Sequence, residues 1–82
     1  MYNVSIFPKE GKRYNPIHDE FNNVHAEILK IEVGERGLFT AQSKDNGYWD
    51  TIHTSTIENV EDFGDTIIVT TRNTVYLFVK EF

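Results

Sequence analysis

The amino-acid sequence predicts an all-β domain, a small antiparallel barrel or strongly curved sheet with at most one short helical turn. Three observations carry that expectation. Short runs of β-branched and aromatic residues recur along the chain, bounded by Gly, Pro, Asn or Asp. Asn46-Gly47 and Arg72-Asn73 each separate two such runs, and Asn tolerates the left-handed backbone that a tight reversal demands. The run Thr74-Val75-Tyr76-Leu77-Phe78-Val79 is apolar at both alternating sets of positions, the pattern of a strand covered on both sides.

The elements follow in order. Tyr2 to Phe7 reads as a first strand that stops at Pro8. Pro8 to Pro16 has two prolines, a glycine and no apolar periodicity, so it is an exposed loop suited to partner contact. Residues 17 to 23 fit one helical turn. Alternation returns from Val24 to Val33, with Leu29, Ile31 and Val33 facing one way. Gly34-Glu35-Arg36-Gly37 supplies a turn, Leu38 to Gln42 the return strand, and Ser43 to Gly47 a second turn. Tyr48 to His53 is the next strand. Thr54-Ser55-Thr56 then introduces a kink, because hydroxyl side chains compete for local backbone hydrogen bonds, and Ile57 to Glu61 resumes extended structure with a bulge or corner. Ser55-x-x-Glu58 also matches a capping box, so a short helical turn competes at that point. Phe63-Gly64-Asp65 leads into the final hairpin, Thr66 to Thr71 and Thr74 to Val79.

Six or seven short strands at close spacing suit a small barrel of the SH3-like kind, and closure removes the edges that invite aggregation. Ile67, Val69, Val75, Leu77 and Val79 are assigned to the interior. Tyr76 and Phe78 then fall on the opposite face, where a covering element or a second copy of the chain would have to shield them.

The 82 residues make a single domain, 1–82, near the size at which one core holds a fold unaided. Cysteine is absent, which suits a reducing cytoplasm and leaves packing to supply the stability. The amino terminus lacks the form of a signal peptide, and no apolar run approaches the roughly 20 residues that cross a bilayer. A cytoplasmic protein without membrane contact is expected. The net charge of −5 is unevenly spread: residues 1–18 carry Lys9, Lys12 and Arg13 against Glu10, whereas residues 19–82 carry five basic and twelve acidic side chains. An acidic body disfavours phosphate backbones, which are gripped by positive charge.

Little in the chain suggests chemistry. His18, His25 and His53 lack the usual metal-ligand spacings, and His18 lies beside Asp19 and Glu20 as surface histidines often do. His53 and Ser55 share a strand face, yet no acid is placed to orient the imidazole and no glycine-rich oxyanion element follows. Glu61, Asp62 and Asp65 flank a glycine turn, where solvated acids normally sit. No catalytic residue, metal ligand or cofactor is assigned, and the chain is not read as an enzyme.

The aromatic residues carry more. Tyr48 and Trp49 are adjacent, so one should face inward and the other outward; a tryptophan is more often a core anchor than a ligand platform. Exposed aromatics on small barrels grip peptides or stack bases, and Tyr14, with Lys12 and Arg13, would extend such a surface. The run Trp49-x-x-Ile52-His53-Thr54-Ser55-x-Ile57-x-x-Val60, followed by Thr70-Thr71-x-Asn73-Thr74-x-Tyr76-x-Phe78, resembles the carboxy-terminal half of short uncharacterised proteins carried by bacteriophages and mobile elements of Gram-positive bacteria. The resemblance implies a setting in which a small acidic protein binds and blocks a host protein, and it implies no catalytic residue. The expected function is a non-catalytic barrel module that binds a protein partner or a second copy of itself through Lys12, Arg13, Tyr14, Trp49, Tyr76 and Phe78. A barrel that binds single-stranded nucleic acid is the alternative.

Overall fold

In the computed structural model, which describes residues 1–12 and 17–81, the alternating runs become six strands. They are β1 (Tyr2–Pro8), β2 (Val24–Lys30), β3 (Arg36–Gln42), β4 (Trp49–Asp62), β5 (Thr66–Thr71) and β6 (Thr74–Lys80). One helical turn, α1 (Ile17–Glu20), precedes β2. Each strand pairs antiparallel with the next, and β6 pairs back onto β1, so the sheet closes into a barrel. The fold is the small antiparallel β-barrel that the sequence predicts. Arg13 and Tyr14 lie outside the described residues, as does the end of the loop that contains them.

The long strand explains how six short elements close. β3 pairs with Trp49 to Thr56, and β5 pairs with Ile57 to Asp62, so β4 serves two neighbours in succession. Its pairing shifts at Arg36/Leu38 and again at Ile57/Asn59. Such irregularities bend a strand without ending it. The Thr54 hydroxyl sits at the bend, accepting from the Gly37 N–H at 2.7 Å and donating to the Ser55 carbonyl at 2.7 Å. The kink predicted at Thr54-Ser55-Thr56 is therefore a bend within one strand, and the capping-box alternative forms no helix. Gly37 is buried against this bend, where a Cβ would lie 2.9 Å from both Ile57 Cδ1 and Thr54 Oγ1. The bend and the glycine fit each other.

The seam between β1 and β2 is closed differently. β2 reaches only Tyr2 to Val4, whereas β6 pairs with β1 along its whole length. Past Val4 an asparagine pair takes over: the Asn23 N–H donates to the Val4 carbonyl at 2.6 Å, and Asn22 Oδ1 accepts from the Ile6 N–H at 2.9 Å. Asn23 takes a φ of 59°, a conformation Asn tolerates better than most residues. Pro8 ends the strand and has no N–H to leave unpaired.

The interior is built from Val4, Ile6, Phe21, Val24, Ala26, Phe39, Ala41, Ile57, Ile67, Val69, Tyr76 and Phe78. Phe39 meets Tyr76 and Phe78 edge-on, at ring-centroid distances of 5.5 and 5.3 Å, and Tyr2 meets Phe78 at 6.2 Å. These placements correct the face assigned to β6. Ile67 and Val69 are buried as expected, but Tyr76 and Phe78 point inward with them, while Val75, Leu77 and Val79 point outward. The hairpin sets the phase. Its two-residue turn puts Ile67 opposite Phe78 and Val69 opposite Tyr76, and directly opposed residues share a face.

β2 is also in the other phase. Val24 and Ala26 are buried, Leu29 and Val33 are exposed, and the strand ends at Lys30 after a pairing shift at Ile28/Lys30. Tyr48 and Trp49 do not split between the two sides. Tyr48 belongs to the turn and is 73% exposed; Trp49 opens β4 on the outer face, opposite Gln42, and is 43% exposed.

Candidate interaction face

Correcting β6 gives the outer side of β1, β6 and β5 a partly exposed apolar face, while Leu29, Val33, Tyr48, Trp49 and Phe63 are exposed elsewhere on the barrel. Three registers fix it. Asn3 opposes Val79, which opposes Thr66; Ser5 opposes Leu77, which opposes Ile68; Phe7 opposes Val75, which opposes Thr70. These nine outward positions form a three-by-three grid, and every one of them is partly or fully exposed. None is charged, in a chain whose residues are 26% charged. Five are apolar: Phe7, Ile68, Val75, Leu77 and Val79. Depletion of charge together with an apolar centre is what distinguishes the middle of a protein contact from ordinary surface.

Charges surround the grid. At the end of β1, the Lys9 ammonium pairs with the Glu58 carboxylate, and the Lys9 N–H donates to the Asn73 carbonyl at 3.0 Å, which fixes the loop start onto the β5–β6 turn. Lys9, with smaller contributions from Arg72 and Lys12, holds the Glu58 carboxyl below the usual carboxylate range. Three cations thus act on one carboxylate, and this end carries Lys9, Lys12 and Arg72 against Glu10 and Glu58. The opposite end carries Glu27, Asp62, Asp65 and Glu81 against Lys80, whose N–H donates to the Asp65 carbonyl at 2.7 Å, and the Met1 ammonium, which pairs with Glu27 at 3.6 Å. One end is net positive and the other net negative. Along the sides, Glu61 lies opposite Ile68, and His25, opposite Asn3, contacts Glu81 at 2.8 Å.

Of the residues expected to touch a partner, the described ones, Lys12, Trp49, Tyr76 and Phe78, are not brought together. Lys12 is exposed beside the positive end of the grid. Trp49 stands at the far end of β4 from Glu58, on the part of that strand paired with β3. Tyr76, 6% exposed, and Phe78, 1% exposed, are core residues and cannot reach a partner without opening the barrel. Sequence reasoning did not place Phe7, Ile68, Val75, Leu77 and Val79 on the outer face. The turn length at Arg72-Asn73 was the signal that would have found the β6 members.

Near Trp49 lies a polar recess of about 200 Å³, lined by Asn3, Asn23, Val24, His25, Gln42, Ser43 and Lys44. Three of its side chains have internal partners. The Ser43 hydroxyl donates to Glu20 Oε1 at 2.7 Å, Gln42 Nε2 donates to the Gly47 carbonyl at 3.0 Å, and His25 contacts Glu81. Among the described residues, no group of three or more His, Asp or Glu side chains is placed to hold a metal ion, and no helix is long and apolar enough to cross a membrane. His53 is exposed on β4 opposite Leu38, on the face opposite the buried Thr54. No known family, characterised protein or solved structure matches the chain.

Proposed function

We propose that this chain is a non-catalytic interaction module that presents the uncharged outer face of β5, β6 and β1 to a protein partner. The observation that carries the reading is the charge-free grid centred on Leu77, bordered by side chains of both signs. A barrel held by its own closed sheet needs no covering element there, so an apolar outer face is available for recognition. The acidic body and the resemblance to short phage and mobile-element proteins support an accessory role in the cytoplasm, binding a host protein or the chain itself. Affinity capture from the native host with wild-type protein and with Phe7→Ser/Val79→Glu tests it. A specific partner should be retained by the first and lost by the second, and equal retention by both overturns the assignment of this face.

A second reading is favoured by the exposure of both Tyr48 and Trp49, which follow the turn that carries Lys44. Stacked bases would use such a platform. Its signature would be binding of single strands that weakens steeply with salt and is lost on Trp49→Ala.

A further inference from the structure

We infer that the occupant of the grid is a second copy of this chain, stacked face to face about a two-fold axis that lies in the contact and runs across the strands. The inference rests on the interaction reading above and identifies the partner. An axis in that direction lays each strand over its own copy, running the opposite way. The central row then meets itself, with Ser5, Leu77 and Ile68 of one copy over the same three residues of the other. The outer rows exchange: Phe7, Val75 and Thr70 of each copy cover Asn3, Val79 and Thr66 of its partner. No charge is buried anywhere in this arrangement, which a chain of net charge −5 requires if it is to meet itself closely.

The border selects this axis over the alternative. Rotation about an axis along the strands would lay β5 over β1 and keep each end of the grid over the same end of its partner, the Lys9 and Arg72 end over itself and the Asp62, Asp65 and Glu81 end over itself, joining ends of like sign. Rotation about the axis across them puts the Arg72 end of each copy over the Asp65 end of the other, because both residues lie at the ends of β5. That contact is made twice, once at each end of the stack. The self-complementarity is therefore geometric in the grid and electrostatic at its two ends, whereas along the β4 side Glu61, opposite Ile68 in the central row, comes over Glu61 of the partner and weakens the contact.

Size sets the strength. Three strands about 4.8 Å apart and about seven residues long make a face of roughly 14 by 20 Å. That falls well short of the roughly 800 Å² per partner of a standard interface, so the association is weak and concentration-dependent.

Sedimentation velocity of the full chain from about 5 to about 500 µM at low salt reads the outcome directly. The mass should rise from that of the 9.6-kDa monomer toward twice that value. Phe7→Ser/Val79→Glu, at two exposed positions, should remain folded and monomeric throughout. Arg72→Glu should weaken association about tenfold or more, and Arg72→Glu/Asp65→Lys should restore it, since the ends again carry opposite signs. A constant monomer mass for the wild type overturns the inference, as does association unaffected by Phe7→Ser/Val79→Glu. Failure of the Asp65→Lys change to restore what Arg72→Glu removes overturns the orientation. The broader reading fails separately: a strictly monomeric chain that still loses a heterologous partner on Phe7→Ser/Val79→Glu would sink self-association and leave the interaction module standing.

Discussion

Phe78→Ala and Leu77→Ala, compared in one experiment, decide which side of β6 faces the core. Phe78 is 1% exposed and meets Phe39 and Tyr2 edge-on. Removing such a ring from a packed interior costs about 3–5 kcal/mol, a figure that includes the lost ring contacts and the residual cavity. Leu77 lies on the outer face and is only partly buried. At about 0.8 kcal/mol per fully buried methylene, truncating its three side-chain carbons at partial burial costs about 1 kcal/mol. A domain of this size has roughly 3–5 kcal/mol in hand. Phe78→Ala should consequently be largely unfolded without denaturant, whereas Leu77→Ala should keep a cooperative transition. Urea titration followed by far-UV circular dichroism is the assay. With a slope of about 1 kcal/mol per molar urea, Leu77→Ala should move the midpoint by about 1 M and Phe78→Ala should abolish most of the folded baseline. If Leu77→Ala is the more damaging of the two, the register of the final hairpin is wrong, and the interaction face derived from it falls as well.

Gly37→Ala should destabilise by about 1–3 kcal/mol, because the new Cβ would sit 2.9 Å from Ile57 Cδ1 and Thr54 Oγ1 in a buried bend. A scanning calorimeter should register a fall of roughly 10 °C in Tm. Asn22→Leu removes the acceptor for the Ile6 N–H and should cost about 1–3 kcal/mol, whereas Asn22→Asp keeps an acceptor and should cost less; hydrogen exchange at the Ile6 amide reports the difference site by site. Burial lowers the His18 pKa from its ordinary value, with Asp19 opposing. As pH falls through about 6.5 the unfolded chain takes up this proton before the folded one, so the contribution is complete above that value and is lost on acidification. Urea midpoints between about pH 7.5 and 5.5 should therefore decline for the wild type and change less for His18→Gln.

How much of this was legible depends on whether a feature is local. β1, β3, β5 and the turns at Asn46-Gly47 and Phe63-Gly64 follow from alternation and turn chemistry within a few residues. The bend at Thr54 followed from the hydroxyl cluster, and the structure shows that hydroxyl bonded at the bend. The face of β6 did not follow, because a strand apolar on both sides carries no phase of its own. Yet the phase was available one step away: Ile67 and Val69 were placed inside, and a two-residue turn then forces Phe78 and Tyr76 inside with them. β2 misled for a related reason. Leu29, Ile31 and Val33 make the more regular apolar series, but Asn22 and Asn23 dock on β1 and set Val24 and Ala26 inward. The candidate face was the least legible feature, because β1 and β6 are neighbours only through barrel closure and lie at opposite ends of the sequence.

A strand with two apolar sides is a hazard in most sheets, and its place in the barrel decides what the hazard becomes. β6 is flanked by β1 and β5 along its length, so its backbone donors and acceptors are taken. Its outward side chains can recruit another surface only face to face, and no free ladder is offered for strand addition, the route by which edges propagate into fibrils. A face-to-face contact through an isologous axis consumes the patch on both copies at once and leaves nothing to extend. The border of charges beyond the grid then opposes any slipped or rotated stacking that would bury a carboxylate or an ammonium. Closure of the sheet and the absence of charge from nine positions are thus two halves of one arrangement. The first removes open-ended association and the second permits a finite one, and Val79→Glu should abolish the finite contact without touching the core beneath it.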